Sequence, residues 1–362
     1  MTYPFSNSDE IHLLYVLLDS NLPTGGFVSS SGLESFSKHG FLSNNSPSYN
    51  NDNNYKRNIT EGIIEFSKSE IENYSNTTCE FVSKAWKIIN NALSIIEFLE
   101  NKNENNDNDN DNENIINKVI KKIIKLDEYN EITLLSHVNK RSSKAQGVAM
   151  LTLFSRGLSE PFLNLNNNDD EENENQNENE NRNENENYQI KLKKEKEKKE
   201  KITKMIIEEY KKQIRKNRSP GHLSICWGVI TACLGLSLNR SIHLHLFLHS
   251  RSLLSSAVRL NLIGPYASSQ LLLYPFKKII NDQVELFFLK EKNENQKSKN
   301  FENSFDSIFS EINYNLIDDE EEEESFWKWS LKSENFGPST TWPLGEILSS
   351  RHDLQHSRIF NS

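Results

Sequence analysis

Between residues 223 and 260 the chain is apolar on nearly every helical face, and no other stretch constrains the fold as much. Ile225, Val229, Ala232 and Leu236 recur at three- and four-residue steps, the period of an α-helix. A helix without a polar face must be covered on all sides, which predicts a central helix pair surrounded by others. Its first part, 223–238, contains Ser224, Gly228, Thr231 and Gly235 and falls short of the roughly 20 apolar residues a bilayer span requires. A membrane helix is therefore not expected.

The same period returns at Ile116, Val119, Ile123 and Leu126, whereas only 284–289 alternates in the manner of a strand. The reading is an all-α fold. A length of 362 residues alone suggests about two domains, but much of the chain is low-complexity polar sequence. Removing it leaves one helical domain.

Those polar tracts also carry most of the charge. Residues 100–113, 169–186 and 318–324 together hold −20 and 191–218 holds +8, so the remainder, against a total of −10, is nearly neutral at +2. A near-neutral folded part gives no basis for binding nucleic acid or another polyanion. The Asn/Glu/Asp tracts 100–114 and 164–187 lack apolar periodicity and read as disordered insertions. Within 191–216 the pairs Glu195/Lys199, Glu197/Lys201, Glu200/Lys204 and Glu208/Lys212 support a charged, solvated helix. Its one aromatic, Tyr210, offers no base-stacking platform. Residues 281–341 read as an insertion and linker between the helical core and a C-terminal tail.

Three cysteines, Cys79, Cys226 and Cys233, are odd in number and widely spaced, which suits reduced core thiols. With no secretory pattern at the N-terminus, a cytoplasmic location is expected. Catalytic patterns are missing: Gly25-Gly26 lacks the Gly-Lys-Ser/Thr of a phosphate loop, and there is no His-Glu-x-x-His, Gly-x-Ser-x-Gly or Cys-x-x-Cys. His245 and His249 share a helix face and have the chemistry to chelate, while His243 cannot join them; in so apolar a helix they read as packing residues. No catalytic residue, metal site or cofactor is assigned.

Two segments stand out as built for specific geometry. At 19–42, Pro23, Gly25 and Gly26 break the apolar run Leu13, Leu14, Val16, Leu17, Leu18, and Ser29 to Ser31 offer N-cap hydroxyls for a helix whose first turn carries Glu34. At 342–362, Arg351, Ser357, Arg358, Ile359 and Phe360 crowd a stretch too short for its own core. Such a tail is expected to order on a partner, with Ile359 and Phe360 filling pockets and Arg351 and Arg358 making bidentate contacts.

Taken together, Leu-Pro-x-Gly-Gly-Phe (Pro23, Gly25, Gly26, Phe27) followed by Ser-x-Gly-Leu-Glu (Gly32, Glu34) resembles the N-terminal signature of urease accessory protein F, a helper in nickel insertion into urease. Residues 255–260 with Ile263-Gly264 and 270–272 resemble that family's later core helix and Gly turn. Residues 141–147 resemble its Arg-x-x-Ser-x-Gln-Gly element, and 357–362 its terminus, closest to the plant-type version. The resemblance covers 11–42, 55–99, 115–157, 217–280 and 342–362, roughly 205 residues. Pro265 and Asn361 depart from the family pattern.

The resemblance implies a non-enzymatic, dimeric all-α protein. It would bind the urease accessory protein called D or H and recruit the GTPase accessory protein G, which carries nickel to apo-urease. Glu34 and Arg259 match positions associated with the GTPase encounter; as residues alone they read equally as a capping acid and a helix-surface cation. The tail residues Arg351, Ser357, Arg358 and Phe360 would contact the D/H-type partner. The alternative is a generic helical scaffold unrelated to nickel.

Overall fold

The computed structural model describes residues 7–19, 21–43, 58–102, 109–159, 184–298 and 337–361. Its elements in chain order are α1 (Asn7–Leu17), α2 (Leu33–Lys38), α3 (Ile59–Lys102), α4 (Asp109–Thr133), α5 (His137–Leu153), α6 (Glu184–Arg215), α7 (Leu223–Cys233), α8 (Leu238–Arg259), α9 (Pro265–Leu271), α10 (Lys277–Ser298) and α11 (Pro343–Ser350). Among the described residues there is no strand, and the all-α expectation holds.

Helix α7 is the axis of the bundle. From Ser224 to Cys233 every residue is buried, because α3, α5 and α8 pack around it. Gly228 permits the closest crossing: a Cβ there would lie 2.5 Å from the Val82 carbonyl oxygen of α3. The indoles close the ends of this packing through hydrogen bonds, Trp86 Nε1 donating to Leu236 O at 2.9 Å and Trp227 Nε1 to Ser241 O at 3.0 Å. All three cysteines lie in the core, where burial pushes the Cys79 and Cys233 thiols up to about 12 and keeps them protonated.

The start of α7 is held from two other helices. Asp127 of α4, fully buried, accepts the backbone N–H groups of Gly221 at 2.6 Å and His222 at 3.0 Å, and Ser143 of α5 accepts that of Leu223 at 3.1 Å. The amides of His222 and Leu223 are among those that a helix leaves without intrahelical partners. Tyr210 of α6 donates its hydroxyl to the same Asp127 at 2.9 Å.

That contact corrects the reading of the charged helix. Rather than a solvated extension, α6 inserts Ile202, Ile206, Ile207 and Tyr210 into the core, while the Glu200–Lys204 ion pair stays partly exposed. Two further boundaries shift. The tract expected to be disordered over 100–114 is helical at 100–102 and from Asp109 onward, and Glu184–Glu186 begin α6; residues 103–108 and 160–183 lie outside the described residues. Likewise 281–298 is not linker, since α10 continues to Ser298 and buries Ile280 and Val284; 299–336 lie outside the described residues.

Candidate functional site

Two glycines with positive φ, Gly25 at 72° and Gly32 at 82°, shape the N-terminal turn, and a short 3-10 turn over Gly26–Val28 lies between them. The serines expected to cap α2 do not: Gly32 is its N-cap without a side-chain bond, and Ser29 Oγ instead accepts the N–H of Ser31 at 3.3 Å. Gly32 is demanded twice over, because a Cβ would also fall 2.7 Å from Ser349 Oγ of α11. Pro23 lies exposed in the loop before this turn, and Phe27 is exposed at its outer edge.

Glu34 therefore does not cap its own helix. Its carboxylate is fully buried and is met by four groups: Lys38 Nζ at 2.9 Å, the backbone N–H of Ile359 at 2.8 Å and of Phe360 at 3.2 Å, and His352 Nε2 at 3.2 Å, while Lys38 also reaches the Ser357 carbonyl. Burial pushes this carboxyl up, but Lys38, the two tail amides and His352 outweigh it and hold it below its usual range. The C-terminal tail is thus laid on its own chain. Phe360 is buried, Arg259 of α8 stands over its ring at 4.8 Å while donating to the Phe27 carbonyl, and Asn361 N–H bonds Val28 O at 2.9 Å.

A second knot lies beside the first. Arg141 of α5 grips Asp353 through two nitrogens, each at 3.0 Å, and donates to Asn361 O at 2.9 Å; Arg358 and His137 reach the same carboxylate at 2.9 and 3.2 Å. The Arg141 hydrogen bonds hold the Asp353 carboxyl well below the usual carboxylate range and raise the guanidinium in turn. Upstream, Asn73 Oδ1 of α3 accepts Thr340 Oγ1, Thr341 N and Trp342 N, fixing the start of α11, and Gln146 lies against the backbone of Gly26.

The structure brings together Gly25, Gly26, Gly32, Glu34, Arg259 and Phe360 around one surface. Arg351, Ser357 and Arg358 are exposed along its rim. Gly264 stands apart: it precedes α9 with extended φ, and Asn261, at φ 58°, makes the left-handed turn there. Sequence reasoning gave no role to Lys38, His352, Asp353 or Asn73, and saw Arg141 without its partner.

Behind the clasp is a cavity of about 250 Å³ whose lining includes Phe27, Glu70, Tyr74, His249, Arg259 and Glu346. His245 and His249 are stacked on Tyr74 with ring centroids 4.9 and 3.6 Å away, and burial pushes both imidazoles down to about 3. Among the described residues no three His, Cys, Asp or Glu side chains converge as a metal-holding group. No helix of the described residues is long and apolar enough to cross a membrane.

The profile of the UreF family matches residues 65–274 of this chain. The full chain is similar to urease accessory protein 6 of Cryptococcus neoformans var. grubii, 47% identical over 369 aligned residues that cover 98% of each protein. A UreF-like urease accessory protein of Schizosaccharomyces pombe, itself described as uncharacterized, is 33% identical over 157 residues, covering 43% of this chain and 48% of that one.

Proposed function

This chain belongs to the UreF family of urease accessory proteins, and from that premise we propose that it is a non-enzymatic adaptor of urease maturation. A role in urease maturation follows from the family itself. In the finer reading, the protein binds the D/H-type accessory protein through its tail surface. As a homodimer within that complex, it recruits the nickel-carrying GTPase accessory protein G for delivery to apo-urease in the cytoplasm.

One observation carries this reading. Four sequence elements spread from residue 23 to residue 361 are folded onto a single surface by Glu34, Arg141 and Arg259. An enzyme would spend such convergence on a reacting pocket. Here the polar groups are used to hold a tail, and large apolar side chains are left facing outward: Ile347, Leu354 and Ile359 are 57%, 77% and 64% exposed. Exposed apolar groups bordered by Arg351 and Arg358 are the composition of a docking surface. Glu34 then acts on a partner by positioning the tail, since its own carboxylate is buried.

The test is co-expression with the D/H-type protein and GTPase G, reading co-purification together with nickel content and activity of urease. Loss of this chain should leave apo-urease at normal nickel supply. Active, nickel-loaded urease in its absence would overturn the proposal.

A further inference from the structure

We propose that Glu70 and His249 form a binding site for a first-row divalent cation, taken through one carboxylate oxygen and the imidazole Nε2, with water completing the shell. The site follows from the geometry of the cavity and does not rest on the reading of the tail as a docking surface.

Glu70 of α3 and His249 of α8 face each other with Oε1 and Nε2 3.5 Å apart, their side chains only 13% and 9% exposed. That separation is too long for a good hydrogen bond. It suits two ligands of one ion: with metal–ligand bonds of about 2.1 Å each, a 3.5 Å bite subtends about 110°, the tetrahedral angle. His249 Nε2 has no hydrogen-bond partner among the described residues, and neither has Asn130 Oδ1, which lines the same cavity. Tyr74 lies flat on the His249 ring, with planes 4° apart, and fixes its direction.

One further carboxylate enters the cavity, which Arg251 and Arg259 also line. Glu346 of α11 also lines the cavity, its two oxygens engaged by Asn73 and Asn139 at 3.3 Å each. Glu70 and Glu346 thus bring two carboxylates to the same cavity. His245, unlike His249, is spoken for by Thr78 Oγ1 at 3.1 Å. The pair of histidines on one helix face is therefore not the ligand pair; one histidine and a carboxylate from another helix are. The imidazole nitrogen is what selects the zinc, cobalt and nickel class over calcium or magnesium, for which a carboxylate alone would serve. Two protein donors make an exchangeable site rather than a structural one.

The experiment titrates metal-free full-length protein with Zn²⁺ by calorimetry and with Co²⁺ by visible absorption, comparing the native chain with Glu70→Gln, His249→Gln, the double variant and His245→Gln. One ion per chain is expected, with affinity at least tenfold weaker in each Glu70 and His249 variant and unchanged in His245→Gln. Circular dichroism checks that each variant is folded. Should the substitutions unfold the chain, ring-nitrogen NMR of the native protein decides: Zn²⁺ must shift His249 Nε2 and leave His245 in place. Absence of binding by the native chain, an unmoved His249 resonance, or unchanged affinity in a folded double variant overturns the site.

Discussion

Glu34 and Ile359, 325 residues apart in sequence, meet at 2.8 Å, the backbone N–H donating to a carboxylate that is fully buried. A charged acceptor sequestered from water and satisfied by Lys38 and by the tail ties the tail's position to that one side chain. Glu34→Gln keeps the shape, removes the charge and turns one oxygen into a donor facing donors. Removing one partner from a buried charged cluster costs about 3 kcal/mol. The expected result is loss of amide-exchange protection at Ile359 and Phe360 while the amides of α7 keep theirs. Unchanged protection at both tail amides would show that Glu34 is not the latch.

Gly32→Ala attacks the same clasp from the backbone. A left-handed φ of 82° costs a residue with a Cβ about 1–2 kcal/mol, and the new methyl meets Ser349 Oγ at 2.7 Å. Adding Ser349→Ala removes the collision but not the backbone strain. Thermal unfolding should show the single variant lowered and the double variant partly restored. Full restoration would mean that φ contributes nothing.

Local physics made part of this molecule legible in advance. The helix period at Ile225, Val229, Ala232 and Leu236, and the glycines that break α1 from α2, act over a few residues, so sequence shows them directly. Helix α6 carried its own signal in Ile202, Ile206, Ile207 and Tyr210, spaced for one face, yet its acid–base pairs were the louder pattern and suggested full solvation. The clasp was not legible. Arg141 and Asp353 meet over a separation of 212 residues, and neither has a local signature that distinguishes it from a surface charge. The tail's contacts with its own chain were invisible for the same reason, which left a partner as the only apparent place for Phe360.

Acid should release the tail, and only acid. Asp353 and Glu34 both titrate below their usual values in the folded chain, Asp353 through the hydrogen bonds of Arg141 and Glu34 through Lys38 and the tail amides against the cost of burial. Groups depressed on folding contribute stability that is present above the unfolded pKa, about 4 for carboxylates, and lost as pH falls through the lower folded value. Tail protection, corrected for intrinsic exchange, should be level from pH 5 to 8 and decline below about 4. A decline already under way between pH 6 and 7 would show that neither carboxylate controls the tail.

Asp127 predicts how far α6 belongs to the fold. It accepts Tyr210, Ser219, Gly221 and His222, so Tyr210→Phe removes one of four partners and should cost about 1 kcal/mol. Asp127→Ala strands several buried donors and should cost at least about 3 kcal/mol. Deleting 191–216 should abolish cooperative unfolding, since Ile206 and Ile207 are fully buried. A deletion variant that still melts cooperatively would return α6 to the status of an excisable extension.

The outward face of the tail separates folding from recognition. Leu354 and Ile359 are among its most exposed side chains, while Phe360, next to Ile359, is buried beneath Arg259. Leu354→Asp and Ile359→Asp place a charge where the free protein is already wetted, so each should alter stability by no more than about 0.5 kcal/mol. Desolvating that charge beneath a partner is costly, and association with the D/H-type protein should fall at least tenfold. Phe360→Ala should do the reverse in order, loosening the tail first and weakening association as a consequence. Truncation after His356 removes the Phe360 anchor together with Ile359 while Leu354 stays, and the α3–α7–α8 core should keep its helical signal. If the aspartate variants bind the D/H-type partner as tightly as the native chain, the docking surface lies elsewhere on the molecule and the clasp serves folding alone.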